Sequence, residues 1–388
     1  MRIGDHFGST ARRAAVLGAT VFAVASLAAA DHAAKEGGAF LVMIGRDTLG
    51  VESYVRDGDT MRGTSVVRSD RATNIRSYTL TLDKAGNLAK YEVTVTKAGA
   101  PADAKPLAVI AMMPMPGAIH EIVTTDSTRT LHIMTPATTL PLMFNGFGVW
   151  ETAVMRAVAS GKDSIGVPMI FANDTGRYVT TIKRMGKDSV SIDSPLGMAR
   201  AKIDAKGHIL GYDAPGSTTQ VVVTRLANVD VKAFAAMYAD RPMGPLSRAD
   251  TVRANIGGSD LMVAYSEPSV RGRVIFGAVV PWDVIWRAGA NSATTFTTSK
   301  DITVGGAGVP AGEYTLFMVP NATAWKLVIS KKTKEWGTEY DPTMDLARVN
   351  MTVAVLPATV ELLKYSFTPA GLTLSWDKTA VSVPIQVK

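Results

Sequence analysis

The sequence predicts a mostly β protein: an N-terminal antiparallel, open-barrel-like domain, then a C-terminal antiparallel β-sandwich, with one or two short helices. Three observations carry this expectation. Apolar and polar residues alternate in short runs such as Tyr78–Leu82, Lys90–Thr96, Tyr178–Lys183 and Ser189–Ile192, as in half-buried strands. Turn residues separate the runs, at Asp57-Gly58, Ala85-Gly86-Asn87, Met185-Gly186-Lys187 and Lys206-Gly207. The composition, 47% apolar and 19% charged with 34 Gly and 19 Pro, is globular and favours short strands over long helices.

The order of elements follows from the same signals. Residues 1–30 read as a signal peptide: Arg2, Arg12 and Arg13 precede the uncharged run Ala14–Ala30, which ends in small residues. The run is short and Ala-rich for a spanning helix, which needs about 20 strongly apolar residues. No later segment is expected to cross a bilayer. Residues 31–227 form the N-terminal β domain and 228–250 a linker, whose Val231–Ala239 has helical spacing. A second helix is expected over Trp150–Ser160. Residues 251–388 form the sandwich, with strands expected at Asp260–Tyr265, Arg273–Phe276, Thr294–Thr298, Tyr314–Met318, Trp325–Ser330, Met351–Leu356, Val360–Phe367 and Leu372–Trp376. Gly305-Gly306-Ala307-Gly308 reads as a hairpin turn, not a phosphate loop. Leu82–Tyr91 and Ile203–Tyr212 share an Asp-x-x-Gly turn and a later Tyr at a constant offset, the mark of either an internal repeat or a common turn.

Composition excludes several chemistries. The chain has no cysteine, which removes disulfides, thiolate sites and thiol catalysis. Loss of residues 1–30 would take the formal charge from +7 to +5, without the basic clustering that nucleic acid requires. The C-terminal domain has no histidine, so it cannot house a Ser-His-Asp triad or a histidine-ligated zinc by itself. His120 and His132 flank a hairpin centred on Asp126-Ser127, and that register places Glu121 opposite His132 with His120 on the other face. No cofactor or metal is expected.

The C-terminal part resembles the bacterial family called Domain of Unknown Function 2911. The residues that carry the resemblance are Tyr265-Ser266-Glu267-Pro268-Ser269-Val270-Arg271-Gly272-Arg273, Val280-Pro281-Trp282-Asp283 and Trp286-Arg287-Ala288-Gly289-Ala290-Asn291. Val309-Pro310-Ala311-Gly312-Glu313-Tyr314, Trp336-Gly337 and Trp376-Asp377 follow in order. Ser292 and Trp282 stand where family members often carry Glu and Tyr, so no carboxylate role is carried to position 292. The resemblance implies an exported bacterial protein with a β-domain and no assigned activity. In strand pattern alone, the N-terminal meander resembles the LolA-like half-barrel of periplasmic lipoprotein carriers.

Two groups of residues are candidates for binding. Arg271, Arg273, Trp286, Arg287 and Asn291 combine guanidinium forks, an indole face and an amide, which suit an anionic or sugar-like ligand. Against this, Arg287 paired with Asp341 or Asp345 would merely bridge loops. Met112 and Met115 belong to a methionine group suited either to an apolar cleft or to a loosely specified core. A non-catalytic binding or accessory protein of the cell envelope ranks first, with a small apolar or anionic ligand as partner. An extrinsic subunit docking on an envelope complex ranks next. A hydrolase using Asp283, Asp341 or Asp345 with Arg287 is the third reading.

Overall fold

The structure is a computed structural model that describes residues 36–172, 175–215, 219–334, 336–337, 339–368 and 371–387. The expected signal segment lies outside them. Strands dominate, as expected. β1 (Glu36–Ile44), β2 (Asp47–Asp57), β3 (Thr60–Arg68), β4 (Thr73–Leu82) and β5 (Leu88–Lys97) begin a meander. It continues with β6 (Ala108–Met115), β7 (Ala118–Thr124), β8 (Thr128–Met134) and β9 (Leu140–Leu142). Helix α1 (Phe147–Ala159) interrupts it. Then come β10 (Ser164–Phe171), β11 (Tyr178–Arg184), β12 (Ser189–Ser194), β13 (Gly197–Ile203), β14 (Ile209–Asp213) and β15 (Val221–Leu226).

All fifteen strands form one sheet in which β1 pairs with β15, and every pairing is antiparallel except β9 with β10. The sheet curls around α1, whose Phe147, Trp150, Ala153, Val154 and Ala157 share one core with inward residues such as Phe40, Leu80, Ile182 and Ile203. The two Asp-x-x-Gly turns adopt the same local form. Asp83 accepts from the backbone N–H of Ala85 and Asn87, and Asp204 from Lys206 and His208. Both strand pairs shift register just before the aspartate, at Leu82 and at Ile203. The shared bulge and turn give the internal repeat a structural counterpart, with β4–β5 corresponding to β13–β14.

Helix α2 (Val231–Tyr238) is capped by Asp230, whose carboxylate accepts from Lys232 and Ala233 N–H. It lies on the outer face of the sheet and buries Ala235 against Val51, Val66 and Ala98. β2 is therefore covered on both faces, by α2 outside and α1 inside.

The C-terminal part contains β16 (Ser247–Ile256), β17 (Ser259–Pro268), β18 (Thr294–Thr298), β19 (Ile302–Val304), β20 (Ala307–Val309), β21 (Gly312–Val319) and β22 (Trp325–Ser330). Then follow β23 (Asp345–Thr368), β24 (Gly371–Val383) and β25 (Ile385–Val387). Seven of these form a sheet in the order β16-β17-β18-β21-β22-β23-β24, and β20-β19-β25 form a second. Ile302, Val304 and Val309 of the small sheet share a core with Leu327, Leu374 and Val383 of the large one. That is the expected sandwich. Two details differ from expectation. Arg273–Phe276 is not a strand, because Arg271 and Gly272 both have positive φ and break the extension. Met351–Leu356 and Val360–Phe367 belong to one long strand whose register shifts at Val360. Among the described residues, no helix is long and apolar enough to cross a membrane.

Candidate functional site

Five of the residues singled out from the sequence meet around one cavity. Arg271, Arg273, Trp286, Arg287 and Asn291 line a space of about 270 Å³, with Trp336 and Trp376 on its wall and Ile44 and Thr219 contributed by the N-terminal part. The local backbone explains how they converge. Trp286 exchanges two 2.8 Å backbone hydrogen bonds with Met318 of β21, which pins the start of the loop. Ala288 and Asn291 then take φ of 53° and 59°, a region that non-glycine residues rarely adopt. The Ala288 carbonyl is held there by the Tyr365 hydroxyl at 2.8 Å and the Thr294 hydroxyl at 3.0 Å. Gly337 closes over the loop: a Cβ at this position would lie 2.2 Å from Arg287 Cδ. Trp286 stacks on Trp376, with 15° between the rings.

The three arginines differ in role. Arg271 clasps the C-terminal part to the β1–β2 turn: its guanidinium pairs with Asp47, its N–H donates to Glu361 at 2.8 Å, and its carbonyl accepts from Arg46 N–H at 2.9 Å. Gly45 makes that approach feasible, since it has φ +57° and its Cβ would fall 2.0 Å from the Arg271 carbonyl oxygen. Gly45→Val should therefore lower stability by about 1–3 kcal/mol, the cost of a strained backbone position. A urea midpoint equal to that of the natural chain would show that the clasp is not formed. Arg273 donates to the carbonyls of Ser269 at 2.5 Å, Val270 at 3.2 Å and Thr219 at 3.3 Å. Burial, together with the neighbouring Arg271 charge, pulls its pKa below the usual arginine value.

Arg287 donates to the Asn291 carbonyl at 2.9 Å, and burial alone lowers its pKa. It does not pair with Asp341 or Asp345. Asp341 caps a short 3-10 turn through Thr343, while Asp345 takes Arg348 at 2.7 Å. Asp283 accepts from Asn321. The three carboxylates of the hydrolase reading thus have partners elsewhere, and among the described residues no Asp, Glu or His lines this cavity. The buried Trp376 indole N–H has no hydrogen-bond partner among the described residues.

A second, larger cavity of about 450 Å³ adjoins the first and shares Ile44, Thr219 and Leu246 with it. Its walls are largely apolar and aromatic, including Leu49, Phe144, Phe147, Trp150 and Tyr212, and Arg68, Asp70 and Arg76 also line it. This space sits beside the first turn of α1. Sequence reasoning missed it, because its walls come from distant strands and a helix that carry no common motif. The two methionines placed at a binding cleft are not there. Met112 is fully buried in the core and Met115 is exposed on the opposite face of β6, because an odd spacing separates faces in a strand.

Two buried carboxylates anchor the helix beneath the larger cavity. Glu52 of β2 accepts from the Tyr78 hydroxyl, from Phe147 N–H at 2.5 Å and from Gly148 N–H at 3.3 Å, so it caps α1, where Gly146 supplies no side chain. Glu151 of α1 accepts from the Tyr54 hydroxyl, from Ile209 N–H at 2.7 Å and from Arg225 at 2.5 Å. Both carboxylates are fully buried. Burial pushes the Glu52 pKa up to about 7, against the opposing hydrogen bonds of Tyr78, Phe147 and Gly148. Every partner is a structural group, so the pair positions α1.

No curated protein matches the chain. A similar solved structure is the crystal structure of a beta-barrel-like protein of Domain of Unknown Function DUF1849 from Brucella abortus. It is 13% identical, with a TM-score of 0.35, and the match covers 49% of this chain and 94% of that one. Residues 247–385 match the family model described as Protein of unknown function (DUF2911), so the C-terminal part of the chain is similar to that family.

Proposed function

We propose that this is an exported, non-catalytic binding protein whose ligand is apolar at one end and anionic at the other. The observation that carries the reading is the pair of adjoining cavities. The larger would take an apolar chain among Phe147, Trp150 and Tyr212. The smaller would take the anionic group against Arg287, with Arg273 beside it. A desolvated guanidinium gains most from an anion, because each fork can donate two hydrogen bonds. The indole N–H of Trp376 supplies a further donor on the same wall. Export is inferred from the basic, then apolar, start of the sequence.

Titration with a medium-chain fatty acid tests this, followed by the fluorescence of Trp286, Trp336 and Trp376. Arg287→Ala should weaken binding roughly 10- to 100-fold, the range for losing a hydrogen bond to a charged group. Its thermal midpoint should scarcely move, since among the described residues Arg287 holds one loop carbonyl. Failure to bind any anionic amphiphile, or equal binding by Arg287→Ala, would refute the proposal.

A further inference from the structure

The outer face of the sheet's β6–β7–β8 end gathers three thioethers and two imidazoles, and neither cavity uses them. The register sets Met113 opposite His120 and His120 opposite His132, so the three side chains form one row across the strands. One step along, Met115, Ala118 and Met134 form the next row. The alternate residues Met112, Ile119 and Ile133 are buried, which fixes the methionines and histidines as outward-facing. This corrects the sequence-based register: Glu121 faces Leu131, and the two histidines share a face.

His120 Nε2 lies 2.8 Å from His132 Nδ1, with the rings nearly perpendicular at 87°. Two nitrogen ligands of one tetrahedral ion, each at about 2.0–2.1 Å, sit about 3.3–3.4 Å apart. Opening the pair by about half an ångström would therefore admit a metal between them. Met113 is the cross-strand neighbour of His120, and Met115 and Met134 occupy the next row on the same face. Met113 is 37% exposed, Met115 47% and Met134 63%, more than an apolar side chain needs on a face where threonine would serve. Ala118 leaves the space between Met115 and Met134 open to side chains.

We propose that this face is a binding site for monovalent copper, held by His120 and His132 with sulfur from Met113 and Met134 or Met115. Thioether and imidazole donors together select a soft ion. Calcium requires oxygen donors, and a zinc site would complete the two imidazoles with further imidazole, carboxylate or thiolate; beyond His120 and His132, the outward positions of these three strands carry none of these. The chain has no cysteine, so methionine is its only soft donor.

The test titrates the whole protein anaerobically with Cu(I) against a bicinchoninate competitor and records the X-ray absorption of the bound metal. One equivalent with mixed nitrogen and sulfur neighbours is expected. His120→Asn with His132→Asn should weaken it roughly a hundredfold per ligand removed. Met113→Leu with Met134→Leu should strip the sulfur shell, and both pairs should leave the thermal midpoint unchanged because the side chains lie at the surface. The site is refuted by binding too weak to compete, by affinity unaffected in both double variants, or by a shell of nitrogen and oxygen alone. Equal retention of Zn(II) would refute the selectivity.

Discussion

Glu151→Ala is expected to remove about 3–5 kcal/mol of folding stability, the usual cost of breaking a buried ion pair from one side. The carboxylate is fully buried on α1 and joins three separate elements: Tyr54 on β2, Arg225 on β15 and the start of β14 through Ile209 N–H. Without it, Arg225 keeps its charge near the core with no carboxylate on it among the described residues, and the Ile209 and Gly37 carbonyls remain as acceptors at 3.2 and 2.9 Å. The Tyr54 hydroxyl and the Ile209 N–H lose their acceptor as well. The net worth of the pair is smaller than this loss, so Glu151→Leu combined with Arg225→Met should recover much of the stability. Urea unfolding of the single and double variants measures both quantities. A single variant within about 1 kcal/mol of the natural chain would show that the network does not anchor the helix.

The strands were legible where one face meets water. β18 and β22 were bounded to the residue, and the Asp83 and Asp204 turns announced their hairpins through glycine and aspartate chemistry. β2 was not legible as the anchor of the helix. Val51 packs outward under α2 while Glu52 and Tyr54 face α1, so apolar and polar positions carry no simple inside-outside meaning there. The His120 hairpin was placed one residue out of register. Pairing of Thr124 with Thr128 leaves a three-residue turn centred on Asp126, whereas the sequence suggested a centre between Asp126 and Ser127. A shift of one residue exchanges the two faces of a strand, which is why the histidine row was hidden. The arginine and tryptophan cavity was legible because its residues crowd into two short segments, 271–273 and 286–291. The apolar cavity draws on eight or more separated segments, and only folding brings them together.

Stability is expected to fall as pH rises from about 4.5 to about 7, and Glu52 is the residue responsible. The native state holds this proton to higher pH than the unfolded chain does, so between those values folding takes up a proton. The stabilising contribution is complete below the unfolded value of about 4.5 and is lost as pH passes through about 7. A displacement of this size corresponds to about 3 kcal/mol. The cause is burial, which outweighs the hydrogen bonds from Tyr78, Phe147 and Gly148 that favour the carboxylate. Glu52→Gln separates the charge from the cap. Its amide oxygen can still accept from Phe147 N–H, and its NH₂ can donate to the Tyr78 oxygen, so the helix keeps its terminus without a buried ionisable group. The variant should match the natural chain at pH 4.5, exceed it above pH 7 by up to about 3 kcal/mol, and show a flatter profile between. Glu52→Ala should instead be destabilised at every pH, because it leaves the first turn of α1 without an acceptor. Urea midpoints of the three chains between pH 4.5 and 8 decide the matter: parallel curves for Glu52→Gln and the natural chain would mean that Glu52 titrates as an ordinary carboxylate and that the cap is charged throughout.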